Sequence, residues 1–359
     1  VLLPLAAGAP ADPGPSIATP LLWTVTIGAV VLLLLVDFLL TRRPHAVKMK
    51  EAVGWSVFYV ALPLGFGAWL WQQYGASTGV DYLTGYLVEK SLSVDNLFVF
   101  MLLLTAFAVP EELRQRVLLY GIIGALVMRA VFIALGAAAL SYFDAAFLVF
   151  GLILLLTGLK LLLDELKDEE KEIDVSQIRS VRLARRFMPV TEDYEGPRMT
   201  ATLAGKRALT PFALVVVAVL GADLVFAVDS VPAVYGITED PFLVFATNAF
   251  ALLGLRALYF VLEGALGKLT HLGFGLSLIL FFIGTKLVIH WGHLVWGDAF
   301  PLPEIGNVTS LLVILAILVV VTVTSLLANR RNGGQDDAEH DGGRHDGLDD
   351  EAVGAAERG

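Results

Sequence analysis

Apolar runs long enough to cross a hydrocarbon core recur along the chain at 20–40, 52–73, 83–108, 117–140, 145–163, 211–235, 241–262, 271–290 and 307–328. A bilayer core takes roughly 20 apolar residues per helix. The pattern therefore predicts an all-α, polytopic membrane protein of about nine transmembrane helices. The third and sixth runs differ from the rest because each contains several charged residues.

The connections between the runs alternate in basic content. Those after odd-numbered runs carry Arg42, Arg43, Lys48 and Lys50, then Arg114 and Arg116, then nine basic residues from Lys167 to Arg207, then Lys268, and finally Arg330 and Arg331. Segments 1–20, 74–81, 141–144, 236–240 and 291–306 contain no Lys or Arg. Basic loops stay cytoplasmic, so the N-terminus is expected outside and the C-terminus inside. Adding or removing one span would scramble the alternation.

Composition agrees: 57% of residues are hydrophobic and 17% are charged, against about 25% charged in soluble proteins. The formal charge of −10 is a poor guide, because much of the acid lies in Asp164–Asp174 and in the tail after Asn332. With no cysteine in the chain, disulfides, thiolate metal sites and thiol catalysis are excluded. His290 and His293 lie three apart, but at a helix end, and are weak candidates for ligands.

Four further segments complete the organisation of the chain. Residues 1–19 read as an extracytoplasmic leader. Residues 164–209 form a cytoplasmic loop whose Ser176–Met188 stretch interleaves Ile178, Val181, Leu183 and Phe187 with arginines. Such a helix either lies on an anionic membrane surface or is a solvated linker. Residues 291–328 comprise an outer loop and the last helix. Residues 329–359, rich in Gly, Asp and Glu, are expected to be a disordered tail. No nucleophile–base pair, P-loop or dinucleotide fingerprint points to an enzyme, and nothing suggests nucleic acid as a partner.

The chain also repeats itself. Run three reads Glu89-Lys-Ser-Leu-Ser-Val-Asp95-Asn96 and run six reads Asp223-Leu-Val-Phe-Ala-Val-Asp229-Ser230. Run four carries Met128-Arg129-Ala130 and run seven Leu255-Arg256-Ala257. Run five has Gly158-Leu159-Lys160 and run eight Gly284-Thr285-Lys286. Residues 83–163 and 210–290 are thus two copies of a three-helix unit. An odd number of spans per unit inverts the second copy, as in many secondary transporters with a midplane site between the halves. Helices one and two (20–82) and the last helix are then peripheral.

Charged residues in the membrane centre are costly. Glu89, Lys90, Asp95, Arg129, Asp223, Asp229, Arg256 and Lys286 must therefore face one another or a wet cavity. Two carboxylates from each copy could converge as a cluster of four. Carboxylate, carbonyl and water oxygens suit Mn²⁺, Mg²⁺ and Ca²⁺, and Asp95, Asn96, Asp229, Ser230 and Asn248 all offer oxygen. At 100° per residue, Glu89 and Asn96 share a helix face, as do Asp223 and Ser230, while Asp95 and Asp229 point about 120° away. Both acids of a pair reach one ion only through local unwinding, for which Pro232 is a candidate cause. Lys90, Arg129, Arg256 and Lys286 read as structural ion-pair partners. Asp37, near the cytoplasmic end of run one, reads as interfacial. Four acids balanced by four bases suggest that metal enters as protons leave. No permanent cofactor is implied; the metal is substrate.

Several of these stretches carry a resemblance. Residues 89–100 (Glu-Lys-Ser-Leu-Ser-Val-Asp-Asn-Leu-Phe-Val-Phe) and 223–234 (Asp-Leu-Val-Phe-Ala-Val-Asp-Ser-Val-Pro-Ala-Val), with 240–245, 248–260 and the loop piece 185–194, resemble the signatures of the TerC/Alx family of bacterial integral membrane proteins. The resemblance covers most of residues 20–330. It implies a protein of the bacterial inner membrane that exports Mn²⁺ from the cytoplasm, with a historical link to tellurium resistance. It also implies metal roles for the acids at Glu89, Asp95, Asp223 and Asp229. A second class of reading is a membrane scaffold that hands metal to secreted proteins or anchors a stress-resistance complex, with secretion-machinery partners.

Overall fold

The computed structural model describes residues 16–40, 49–167, 178–191, 193–194, 196–203, 206–263, 272–297, 303–325 and 327. Its helices are α1 (Pro20–Leu40), α2 (Met49–Tyr74), α3 (Ala76–Ala106), α4 (Glu111–Tyr142), α5 (Ala145–Leu166), α6 (Arg179–Phe187), α7 (Pro211–Tyr235), α8 (Pro241–Leu253), α9 (Leu255–Glu263), α10 (Leu272–Trp296) and α11 (Asn307–Ser325). The acidic tail, most of the leader and the acidic half of the long loop lie outside the described residues.

Among the described residues, 8 helical segments are long and apolar enough to cross a membrane, with α8 and α9 together forming one of them. Helix α3, at 31 residues, is also long enough, rising about 46 Å at 1.5 Å per residue. Its charges, Asp81, Glu89, Lys90 and Asp95, set it apart. The chain is thus an all-α, multi-pass membrane protein, as its pattern predicts.

Two proline-started helices show how local sequence sets the boundaries. Thr210 caps α7, its hydroxyl accepting from Ala213 N at 3.2 Å, with Pro211 in the first turn. Asp240 caps α8, accepting from Phe242 N at 2.9 Å, with Pro241 following. Proline has no N–H to leave unmet there, and the side-chain oxygen satisfies an orphan donor. Asp240 also accepts from Ser16 Oγ (2.8 Å) and Ile17 N (2.9 Å), so one cap holds the chain just before α1 as well.

Burial ranks the helices. The α8–α9 span is 83% buried, whereas α1, α2 and α11 are 22% buried each. Their exposed Leu, Val, Ile and Phe suit lipid contact, where apolar side chains incur no cost. In the centre, α4 packs on α7, α3 on α8 and on α7, and α5 along α10. The α5–α10 seam is the tightest. A Cβ on Gly151 would lie 2.9 Å from the Gly284 carbonyl oxygen, and a Cβ on Gly284 would lie 2.9 Å from that of Gly151. Small residues permit such backbone approach in membranes.

Two departures from the sequence pattern matter. First, α7 runs unbroken through Asp223–Ser230, with Pro232 inside its last turn, and α3 runs unbroken through Glu89–Asn96. The unwinding expected beside Pro232 is absent. The interruption falls instead at Gly254, between α8 and α9. Second, the loop contains a small antiparallel hairpin, β1 (Thr200–Leu203) with β2 (Lys206–Leu209), in register Thr200↔Leu209 to Leu203↔Lys206. Its four-residue strands are too short to stand out in a hydropathy profile.

Candidate cation site

On α3, Glu89, Ser93 and Asn96 follow at i, i+4 and i+7 and form one stripe, all within 3% exposure. On α7, Asp223, Ala227 and Ser230 repeat that spacing and burial. Both stripes face the interior, as the seven-residue spacing predicts. Arg129 of α4, itself fully buried, joins them. Its guanidinium donates through NH1 to Glu89 Oε1 and to Asn248 Oδ1 (2.7 Å), and through NH2 to Asp223 Oδ1 (3.1 Å). Asn248 of α8 is oriented by its Nδ2 donating to Val244 O at 3.0 Å. Four helices thus meet at one arginine.

The arginine meets one oxygen of each acid. Glu89 Oε2 and Asp223 Oδ2 are buried with no hydrogen-bond partner among the described residues. So are Ser93 Oγ, Asn96 Nδ2 and Ser230 Oγ. A buried polar atom left unmet costs about 1–3 kcal/mol, more if charged, so this concentration is unusual for a purely structural staple. The second oxygens of the two acids and the serine hydroxyls form a set of hard donors; Asn96 can add its amide oxygen.

Among the described residues, no three His, Asp or Glu side chains gather as a ligand set. The carboxylate pair would need neutral oxygens to complete a coordination shell. Asp229 is half-buried on a different face of α7 from Asp223 and has interactions of its own. The Asp95 side chain lies outside the described residues. Of the four acids, Glu89 and Asp223 come together on Arg129.

The expected base partners divide. Arg129 is the staple of the buried pair. Arg256 pairs with Asp37 of α1. Asp37, at 3% exposure, is buried and ion-paired. Lys286 Nζ donates to Asn307 Oδ1 (2.6 Å), and Asn307 Nδ2 donates to Asp81 Oδ1 (2.7 Å). That amide relays lysine to acid near the ends of α3 and α11, away from Arg129. Lys90 has no carboxylate partner among the described residues, contrary to its expected ion pair. Its Nζ lies at the α8–α9 break, 2.9 Å from where a Gly254 Cβ would stand. The C-terminal end of α8 is a favourable place for a cation.

A cavity of about 420 Å³ is lined by Asp81, Glu239, Lys286, His290, Glu304 and Asn307, among others. His290 lies between two acids, Nδ1 at 2.7 Å from Glu304 and Nε2 at 3.5 Å from Glu239. Ser93 stands at i+4 from Glu89, a spacing visible in the sequence, whereas the pairing of Asp37 with Arg256 is visible only in the packing.

The profile of the integral membrane protein TerC family matches residues 74–333, which contain every residue of the buried cluster. The chain belongs to the TerC family. An uncharacterized membrane protein of Myxococcus xanthus is 40% identical over 317 residues, covering 88% of this chain and 95% of the relative. Alx of Escherichia coli, named as a membrane-bound redox modulator, is 38% identical over 330 residues, covering 89% of this chain and 98% of the relative. A membrane protein of Mycobacterium tuberculosis is 39% identical over 320 residues, covering 87% and 81%. No solved structure matches this TerC-family chain.

Proposed function

We propose that this TerC-family protein exports a hard divalent cation, Mn²⁺ by family resemblance, from the cytoplasm across the bacterial inner membrane in exchange for protons. The observation that carries the reading is the Glu89–Asp223 pair, buried on one guanidinium with a second oxygen of each acid unmet. Oxygen donors of this kind favour Mn²⁺, Mg²⁺ and Ca²⁺. Asn96 and Ser230, with Asp95 and Asp229, complete the proposed metal set.

The pathway is proposed to lie between two inverted three-span repeats within nine spans, the N-terminus outside. The α5–α10 seam supports this. Aligning Gly158 with Gly284 gives an offset of 126, because 284 − 158 = 126. The same offset takes Gly151 to Ser277, because 277 − 151 = 126. The contact of Gly151 with Gly284 then maps onto that of Ser277 with Gly158, and a Cβ on Gly158 would indeed lie 3.1 Å from Ser277 O. The packing of α4 on α7 maps likewise onto that of α8 on α3.

Charge supports proton exchange. Glu89, Asp223 and Arg129 sum to −1 − 1 + 1 = −1, so one proton neutralises the empty cluster. A divalent ion that displaces the proton leaves +1 rather than +2.

The name of the Alx relatives suggests redox work. With no cysteine in the chain, thiol chemistry of its own cannot supply it.

The test is Mn²⁺ flux into proteoliposomes with and without an imposed pH gradient. Flux should follow the gradient and be lost in Glu89→Gln and Asp223→Asn, and also in Asp95→Asn and Asp229→Asn. Flux that survives all four substitutions would return the scaffold reading, and flux indifferent to pH would remove the proton.

A further inference from the structure

Helix α6 is held in one orientation. Its inner stripe of Ile178, Val181 and Ala184 packs into the core formed by α3, α4 and α7, and Val181 is fully buried. Ser180 lies so close to α7 that a Cβ on Gly221 would stand 2.7 Å from Ser180 Cβ. Further along the loop, the Tyr194 hydroxyl donates to Phe107 O at 2.8 Å, at the end of α3. Burial pushes that hydroxyl up to about 12, so it remains a donor at physiological pH. The loop is strapped to the membrane helices, and the outer face of α6 points in a defined direction.

That outer face has a chemistry of its own. Arg179 and Arg186 stand on it and are exposed. Among them stand Leu183, 57% exposed, and Phe187, 76% exposed, one helical turn apart. A helix solvated on this side would have no reason to display two large apolar side chains in the middle of its cations. Arginines beside a protruding Leu–Phe pair match a lipid interface: guanidinium forks take phosphates in pairs, and apolar side chains enter the acyl boundary.

We infer that the outer face of α6 binds anionic phospholipid headgroups of the leaflet on the Lys/Arg-rich side of the protein. The arginines hold the phosphates, and Leu183 and Phe187 insert beneath them. Each basic residue near an anionic surface adds about a fivefold preference. Besides the acidic stretch Asp164–Asp174, the other source of negative charge is the acidic tail, residues 329–359. Its large apolar residues are only Leu348 and Val353, too few to cover the Leu–Phe pair.

The absence of native cysteine makes the test direct. In the full chain, Phe187→Cys gives a single labelling site for an environment-sensitive fluorophore. The protein is reconstituted in phosphatidylcholine, or in phosphatidylcholine mixed with phosphatidylglycerol, with brominated acyl chains as quenchers. Blue-shifted, quenchable emission is expected in the anionic vesicles only. It should weaken at high salt and be lost when Arg179 and Arg186 are both changed to Gln. Water-like emission in both lipids would overturn the proposal. So would a shift in neutral lipid that disappears on deleting residues 332–359, because the tail would then be the occupant. The readout does not use flux, so it stands or fails separately from the transport reading.

Discussion

Arg129 and Arg256 occupy corresponding places in the two copies of the repeated sequence, yet they do different work. Arg129 is fully buried and gathers acceptors from α3, α7 and α8. Arg256 is 7% exposed and forms its ion pair with Asp37 of the peripheral α1. The same side chain therefore organises the candidate site in one copy and anchors an outer helix in the other. Matching sequence positions do not fix a residue's work; the helices that pack against it do.

The comparison can be broken most forcefully at Arg129. Arg129→Ala leaves two buried carboxylates on no cation, and removing one partner of a buried pair costs about 3–5 kcal/mol. Thermal unfolding in detergent should show it as a severe loss. A triple change with Glu89→Gln and Asp223→Asn should recover most of that stability, because the stranded charges go with the arginine. Arg256→Ala strands one acid rather than two. Its loss should be smaller, about 2–3 kcal/mol, and neutralising Asp37 to Asn in the same chain should restore it. Equal losses at both arginines would erase the distinction.

Asn248→Ala sharpens the contrast further. It removes one neutral acceptor from Arg129 and should cost about 1 kcal/mol, while altering the apparent Mn²⁺ affinity of flux because the guanidinium is less well aimed. Ser93→Ala has the smallest expected effect on stability, within about 0.5 kcal/mol, since its hydroxyl has no partner to lose among the described residues. If Ser93 contributes oxygen to the cation, its signature is weaker Mn²⁺ binding with unchanged unfolding. Ser93→Ala binding that equals wild type would take the residue out of the donor set.

The positions of the membrane helices were legible because hydropathy and length act locally. Runs at 20–40, 145–163 and 211–235 correspond to α1, α5 and α7 within a few residues. The start of α3 was less legible. Ser77, Thr78 and Asp81 depress hydropathy there, although Tyr82 is fully buried and the helix begins at Ala76. The break at Gly254 left no local trace, since Leu252, Leu253 and Leu255 surround it with apolar sequence. It exists where the Lys90 ammonium approaches from another helix. Half of the site, the seven-residue pairs on α3 and α7, followed from helix geometry. The rest depended on partners far away in sequence, such as Asp37 for Arg256 and Asn307 for Lys286, which only the packing of the chain selects.

Where α5 meets α10, Gly151 and Gly284 bring the two main chains close, and Leu155, Leu287 and Val288 close in around them. Such a junction resists both sliding and separation, since any added atom is already too large. On the proposed transport reading, the two glycines make this seam the natural fulcrum, and the swing that would offer Glu89 and Asp223 to either side of the bilayer falls to α3, α4, α7 and α8.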